Sequence, residues 1–127
     1  MDAPRTGLRL LVVDDDPDVA DSFVMLLESL GAEVRVAYDG ASALSRVAEF
    51  SPQLIFLDIG MPGMDGYETA RRIRKLEAGK TAVIAALSGW GQSHDRECSL
   101  KAGFDHHFVK PMGIEAVEQL LKSLPDS

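Results

Sequence analysis

Five residues of types that can act together, Asp14, Asp15, Asp58, Ser88 and Lys110, each lie just past a short apolar run of the chain. Asp14 and Asp15 follow Leu8–Val13, Asp58 follows Leu54–Leu57, Ser88 follows Ala82–Leu87 and Lys110 follows His106–Val109. Three carboxylates gathered at one place repel, and each resists ionising. A hard divalent cation held by a few oxygens and water relieves the repulsion, which suits Mg²⁺. A lysine beside a bound cation makes sense when an anion joins the site, and a phosphoryl group fits. Asp58 would then attack phosphorus as a carboxylate nucleophile and become an aspartyl phosphate. Mg²⁺ and Lys110 would neutralise the transferring group, and the Ser88 hydroxyl would bond a phosphoryl oxygen.

Such a gathering needs a scaffold. The four runs named above, with Glu33–Ala37, read as five strands, and three of them are apolar enough to be covered on both faces. Helical spacing fills the intervals at Pro17–Leu30, Ala41–Phe50, Asp65–Glu77, Ser93–Ala102 and Gly113–Leu124. Asp16 and Asp65 suit helix N-caps, and Gly31, Gly79 and Gly103 read as stops. Strand and helix alternate throughout, which predicts a flavodoxin-like, doubly wound α/β domain with a five-stranded parallel sheet, strand order 2-1-3-4-5 and five helices. All five chemical residues then share the carboxyl edge of the sheet, where open α/β sheets bind their ligands. Strands one and three are neighbours about 4.8 Å apart, so the acidic pair stands beside Asp58, and Lys110 spans roughly 10 Å from two strands away.

The 127 residues fit one domain, with its core about 8–124, and 46% of them are hydrophobic. A net charge of −7 argues against direct nucleic-acid binding, which wants a basic face, and against docking on anionic membranes. No apolar stretch approaches the roughly 20 residues of a membrane span. The N-terminal residues lack a signal-peptide pattern, and Cys98 is the only cysteine, so a reducing, cytoplasmic setting is expected.

VVDDDPD, LDIGMPGMDGYE, ALSGWGQ and AGFDHHFVKP resemble, in order and spacing, the four signatures of the receiver domain of two-component response regulators. The likeness runs from about Leu8 to Leu124, and the second and fourth stretches are similar to receivers of hybrid sensor histidine kinases. The resemblance implies that Asp58 is the phosphoacceptor, that Asp15 binds Mg²⁺ directly and Asp14 through water, and that the Gly60 backbone carbonyl is a further ligand. It implies that Ser88 is the switch hydroxyl, that Lys110 contacts the phosphoryl group and that Lys110–Pro111 is cis. The phosphodonor would be a histidine kinase or a histidine phosphotransfer protein, and the output a protein target. His107 stands where many receivers carry a tyrosine or phenylalanine that swings inward on activation, while Phe108 lies on the opposite side of the strand.

The other conspicuous residues have plainer readings. Trp90 is either a contact at the output face or loop packing. His106 and His107 point to opposite faces and cannot easily share a metal. Cys98, Met61 and Met64 are read as packing, and Arg71, Arg72, Arg74 and Lys75 as a solvated helix face. Three other functions compete with the signalling switch. A Mg²⁺-dependent phosphohydrolase with an aspartate nucleophile resembling haloacid dehalogenases would want a second aspartate where Gly60 stands. A flavin-binding module would want a neutral phosphate loop where Asp14–Asp16 stand. An interaction-only receiver would not need the full residue set.

Overall fold

The computed structural model describes residues 7–89 and 100–124. β1 (Arg9–Val13), β2 (Glu33–Ala37), β3 (Leu54–Asp58), β4 (Val83–Ser88) and β5 (His106–Val109) form one parallel sheet in the order β2-β1-β3-β4-β5. The helices are α1 (Pro17–Ser29), α2 (Gly40–Phe50), α3 (Gly66–Lys75), the helical residues 100–102 (α4) and α5 (Ile114–Ser123). The expected architecture and strand order are therefore observed. None of the described helices is long and apolar enough to cross a membrane.

The apolar runs at the centre of the sheet are needed because both of its faces are covered. Leu11, Val13, Ile55, Leu57, Ile84 and Ala86 pack with Ala43 and Val47 of α2 and Ala70 and Ile73 of α3. The alternate residues Leu10, Val12, Leu54, Phe56, Ala85 and Leu87 pack with Ala20 and Leu27 of α1 and Val117, Leu120 and Leu121 of α5. Phe56 is fully buried and meets the Phe23 ring edge-on at 4.8 Å. Each such side chain contributes about 1.5–3 kcal/mol by leaving water, and together they hold the strand ends in place.

Helix starts follow the sequence closely. Asp16 accepts the N–H groups of Asp18 (3.0 Å) and Val19 (3.4 Å), Asp39 accepts that of Ser42 (2.7 Å), and Asp65 accepts that of Glu68 (2.9 Å). Helix ends differ more. α3 stops at Lys75 rather than Glu77, and Glu77–Gly79 forms a 3₁₀ turn. Gly79 is not a left-handed stop. It is small because a Cβ there would collide with the Ile73 carbonyl. Gly103 is such a stop, with φ at +102° directly after α4. The expected start of the fourth helix, at residues 93–99, lies outside the described residues, as do Trp90, His94 and Cys98.

The basic cluster of α3 is only partly a solvated face. Arg71 and Arg72 pair with Glu68 of their own helix, at 2.8 and 2.7 Å. Their hydrogen bonds hold the Glu68 carboxyl at about 2, well under the usual range. Arg74 instead folds inward onto backbone carbonyls and Asp105, a tertiary role that local charge pattern does not reveal.

Candidate functional site

The carboxyl edge of the sheet brings the five expected residues together. Asp58 and Ser88 are the last residues of β3 and β4, and Asp14 and Lys110 directly follow β1 and β5. Backbone hydrogen bonds extend the sheet beneath them. The Asp14 N–H donates to Ala37 O at 3.1 Å, and the Lys110 N–H donates to Ser88 O at 2.7 Å. The peptide bond that follows, Lys110–Pro111, is cis, as the resemblance implied.

Each carboxylate is held differently. Asp14 is buried, and its Oδ1 accepts the Asp16 N–H at 2.9 Å. Asp58 is buried, and its Oδ1 accepts the Gly60 N–H at 2.9 Å. The remaining oxygen of each faces the same ammonium: Lys110 Nζ lies 3.2 Å from Asp14 Oδ2 and 3.3 Å from Asp58 Oδ2. Asp15 is exposed, yet it offers an oxygen that clusters with one from Asp14 and one from Asp58, all within 4.8 Å of one another. Ser88 is 1% exposed, and its buried hydroxyl has no hydrogen-bond partner among the described residues, which leaves a polar atom unserved.

Burial raises the Asp58 carboxyl above its usual value, and the Asp14 charge adds to the rise. The Gly60 N–H and the Lys110 ammonium oppose it without cancelling it. Burial also disfavours the Lys110 ammonium, but the Asp58 and Asp14 charges outweigh that and hold its pKa above the ordinary lysine value. Three carboxylates thus gather around one ammonium, which leaves an excess of two negative charges among these four residues. An additional cation relieves the excess.

The donor set fits Mg²⁺. Oxygens bound at about 2.1 Å lie at most about 4.2 Å apart across the ion. The acidic cluster needs only a slight contraction to reach that spacing. Two of its members are fixed by backbone N–H groups, and the exposed third is free to turn inward.

Two contributors were not anticipated in the roles they take. Gly60 was expected to offer its carbonyl, and the structure shows its N–H orienting the Asp58 carboxylate. Gly66 begins α3 pressed against the strand end, where a Cβ would sit 2.6 Å from the Asp58 carbonyl oxygen. The sequence signal for the second was present, since a glycine directly after an N-cap aspartate has no capping task of its own. His107 is half-buried opposite Ala86, on the face of β5 that meets the α2 and α3 layer, and Phe108 packs on the other face.

A parallel sheet in this order, with three acids, a hydroxyl and a lysine at its carboxyl edge, is the arrangement of a receiver-type domain. Residues 10–122 match the response regulator receiver domain, and the chain belongs to that family. It is 38% identical over 122 residues to an uncharacterized 14.6 kDa protein from the sodA1 3′ region of Leptolyngbya boryana, covering 93% of each chain. It is 32% identical to Protein PilG of Pseudomonas aeruginosa, covering 97% of this chain and 91% of PilG. The transcriptional regulatory protein PrrA of Mycobacterium tuberculosis is 38% identical, and the match spans 98% of this chain but 52% of PrrA. Among solved structures, the receiver domain of sensor histidine kinase PA1611 from Pseudomonas aeruginosa, with a magnesium ion coordinated in its active site cleft, superposes with a TM-score of 0.82 at 31% identity. The superposition covers 92% of this chain and 96% of that one. The chemotaxis protein CheY4 of Vibrio cholerae gives 0.86 at 26% identity, over 94% of this chain and all of that one.

Proposed function

We propose that this chain, as a single receiver unit over residues 1–127, is a phosphorylation-driven switch of a two-component or phosphorelay system. Asp58 is its phosphoacceptor, and a phosphohistidine of a histidine kinase or histidine phosphotransfer protein is its donor. The observation that carries the reading is a buried nucleophile beside an ammonium, with a buried, unserved hydroxyl at the end of the neighbouring strand. Asp58 Oδ2 lies 3.3 Å from Lys110 Nζ, and the Ser88 hydroxyl lacks a partner among the described residues. A phosphoryl group on Asp58 supplies the oxygens that both would meet.

In the transfer, an Asp58 carboxylate oxygen forms a new bond to phosphorus as the donor's P–N bond breaks. The imidazole leaves with the bonding pair and takes up a proton. The Gly60 N–H orients the nucleophile, and Lys110 stabilises the negative charge on the phosphoryl oxygens. Asp14, Asp15 and Asp58, with the Gly60 carbonyl, would hold Mg²⁺, which neutralises charge on the transferring group. The magnesium in the PA1611 receiver supports this assignment. In dephosphorylation, a separate reaction, water attacks phosphorus as the P–O bond to Asp58 breaks, giving the Asp58 carboxylate and inorganic phosphate. The chain turns over no external substrate, since Gly60 stands where a second, acid-base aspartate would serve a phosphohydrolase.

Phosphorylation then shifts an existing equilibrium between two conformations. Ser88, drawn toward the phosphoryl group, and the α4, β5 and α5 surface with His107 would carry the change to a protein partner. Both partners are expected in the cytoplasm. An apolar cavity of about 610 Å³, walled by Phe23, Leu26, Leu87 and Met112 and reaching Asp14 and Lys110, lies beside the site. It offers a seat for apolar side chains of the donor. The test is incubation with acetyl phosphate and Mg²⁺ followed by mass spectrometry. One phosphoryl group is expected on Asp58, absent in Asp58→Asn and in chelator. Unchanged labelling of Asp58→Asn would overturn the assignment.

A further inference from the structure

β5 is a weak strand by its own means. It is four residues long, lies at the sheet edge, and none of its residues is fully buried. Register is loosely specified in a strand whose hydrophobic faces are not firmly buried. Yet the height of β5 decides where Lys110 enters the site, because β4 carries Ser88 and lies next to Asp58 while β5 pairs only with β4.

The foot of β5 is pinned instead by Asp105. Its N–H donates to Ile84 O at 2.8 Å, and its Oδ2 accepts the Ile84 N–H at 2.9 Å, so one residue grips both polar groups of Ile84. Arg74 of α3 holds that grip. Its Nη2 donates to Asp105 Oδ2 at 2.8 Å and to Gly103 O at 2.6 Å, and its Nη1 donates to Ala82 O at 2.6 Å and Gly79 O at 2.9 Å. Arg74 thus binds the last turn before β4 and the last turn before β5 to the same helix. The fork of a guanidinium can serve these acceptors at once, where a lysine ammonium cannot. Gly103 leaves room for it, since a Cβ there would lie 2.7 Å from Arg74 Cγ.

We propose that Arg74 and Asp105 are positioning residues for phosphoryl transfer: by fixing the foot of β5 against β4 they set the height at which Lys110 meets Asp58. The inference rests on the reading of Asp58 and Lys110 given above. The five steps from Asp105 to Lys110 span about 17 Å of strand. The clamp therefore acts from the far end of the sheet, and its proposed route to the site runs along β5 to Lys110.

The test is the rate of Asp58 labelling by acetyl phosphate and Mg²⁺, read at a temperature where circular dichroism shows every variant folded. The set comprises wild type, Asp105→Ala, Arg74→Lys, Lys110→Ala and the double variants Asp105→Ala/Lys110→Ala and Arg74→Lys/Lys110→Ala. Asp105→Ala and Arg74→Lys are each expected to slow labelling about tenfold, because displacement of a reacting group is costly. In the Lys110→Ala background that deficit is expected to vanish, as it does for residues that act as a unit. If Asp105→Ala does not fold, Asp105→Asn, which keeps an oxygen for the Ile84 N–H, takes its place. Wild-type rates in the clamp variants, or the same deficit with and without Lys110, would show a structural role only and overturn the proposal. A wild type that is not labelled, or a Lys110→Ala that labels as fast as wild type, removes the parent reading and this inference together.

Discussion

Lys110 Nζ stands 3.3 Å from Asp58 Oδ2, and this pair joins the end of β3 to the end of β5 across the intervening strand. The same ammonium also serves Asp14, at 3.2 Å. Two buried carboxylates therefore depend on a single cation until another arrives.

Removing that ammonium tests the dependence. In chelator, Lys110→Ala leaves two buried acids unpaired and is expected to lose about 1–3 kcal/mol of unfolding free energy. Saturating Mg²⁺ restores most of the loss, because the ion compensates the same acids. Urea unfolding with and without Mg²⁺ measures both quantities. An equal loss in the two conditions would mean that the lysine and the ion do not share those charges.

Neutralising Asp58 gives the opposite sign. Burial raises its carboxyl in the fold, so the folded state favours the protonated form. Its contribution to stability is full below the unfolded pKa, near 3.8, and is lost as pH rises through the raised folded value. In chelator, Asp58→Asn is therefore expected to be more stable than wild type at pH 7, with the gap closing toward pH 4. Mg²⁺ reverses the order at pH 7. An ion present at a hundred times its dissociation constant stabilises wild type by about 2.7 kcal/mol and the variant by much less. Thermal melts across that pH range, with and without Mg²⁺, read the crossing.

Most of this arrangement could be read along the chain, for a physical reason. In a parallel sheet, "the residue after the strand" is the same place in every strand, so five separated positions translate directly into one edge. Asp16 and Asp65 were legible as caps because capping is local. What escaped was tertiary. Arg74 lies in the same basic stretch as Arg71 and Arg72, and only the fold sets Gly103 and Asp105 within its reach. Gly79 looks like a helix stop and is small for packing, a distinction that depends on where Ile73 lies. The ends of α3 moved for the same reason, since the turn after it answers to the sheet rather than to helix propensity.

Ser88 separates stability from signalling. Its buried hydroxyl makes no hydrogen bond among the described residues. Ser88→Ala is expected to leave the melting temperature unchanged or raise it by a few degrees, because an unserved buried hydroxyl costs about 1–3 kcal/mol. Phosphorylated Ser88→Ala should fail to reach the active surface. Amide chemical shifts of β5 and α5 on adding Mg²⁺ and beryllofluoride, an acyl-phosphate mimic, are expected to move in wild type and to stay near their starting values in the variant. A variant that shifts fully would show that the hydroxyl is not what the phosphoryl group draws in.

Gly66 tests whether the nucleophile is set by packing as well as by hydrogen bonds. It opens α3 against the end of β3, where an added methyl would lie 2.5 Å from the Ile59 Cα and 2.6 Å from the Asp58 carbonyl oxygen. Backbone atoms cannot swing aside as a flexible side chain can, so the helix must retreat or the strand end must shift. Overpacking of this kind costs about 1–3 kcal/mol. A shift of the strand end also disturbs the Gly60 N–H bond that orients Asp58. Gly66→Ala is expected to lower stability by that amount and to slow acetyl-phosphate labelling of Asp58 about tenfold under conditions where the variant remains folded. Gly63 is the control: it also lies in the loop between β3 and α3, its φ is +73°, and nothing lies within 4 Å of a Cβ placed there. Gly63→Ala strains the loop without crowding the strand, so it should lose stability while labelling at close to the wild-type rate. If both variants label alike, the contact between Gly66 and Asp58 has no part in aiming the carboxylate.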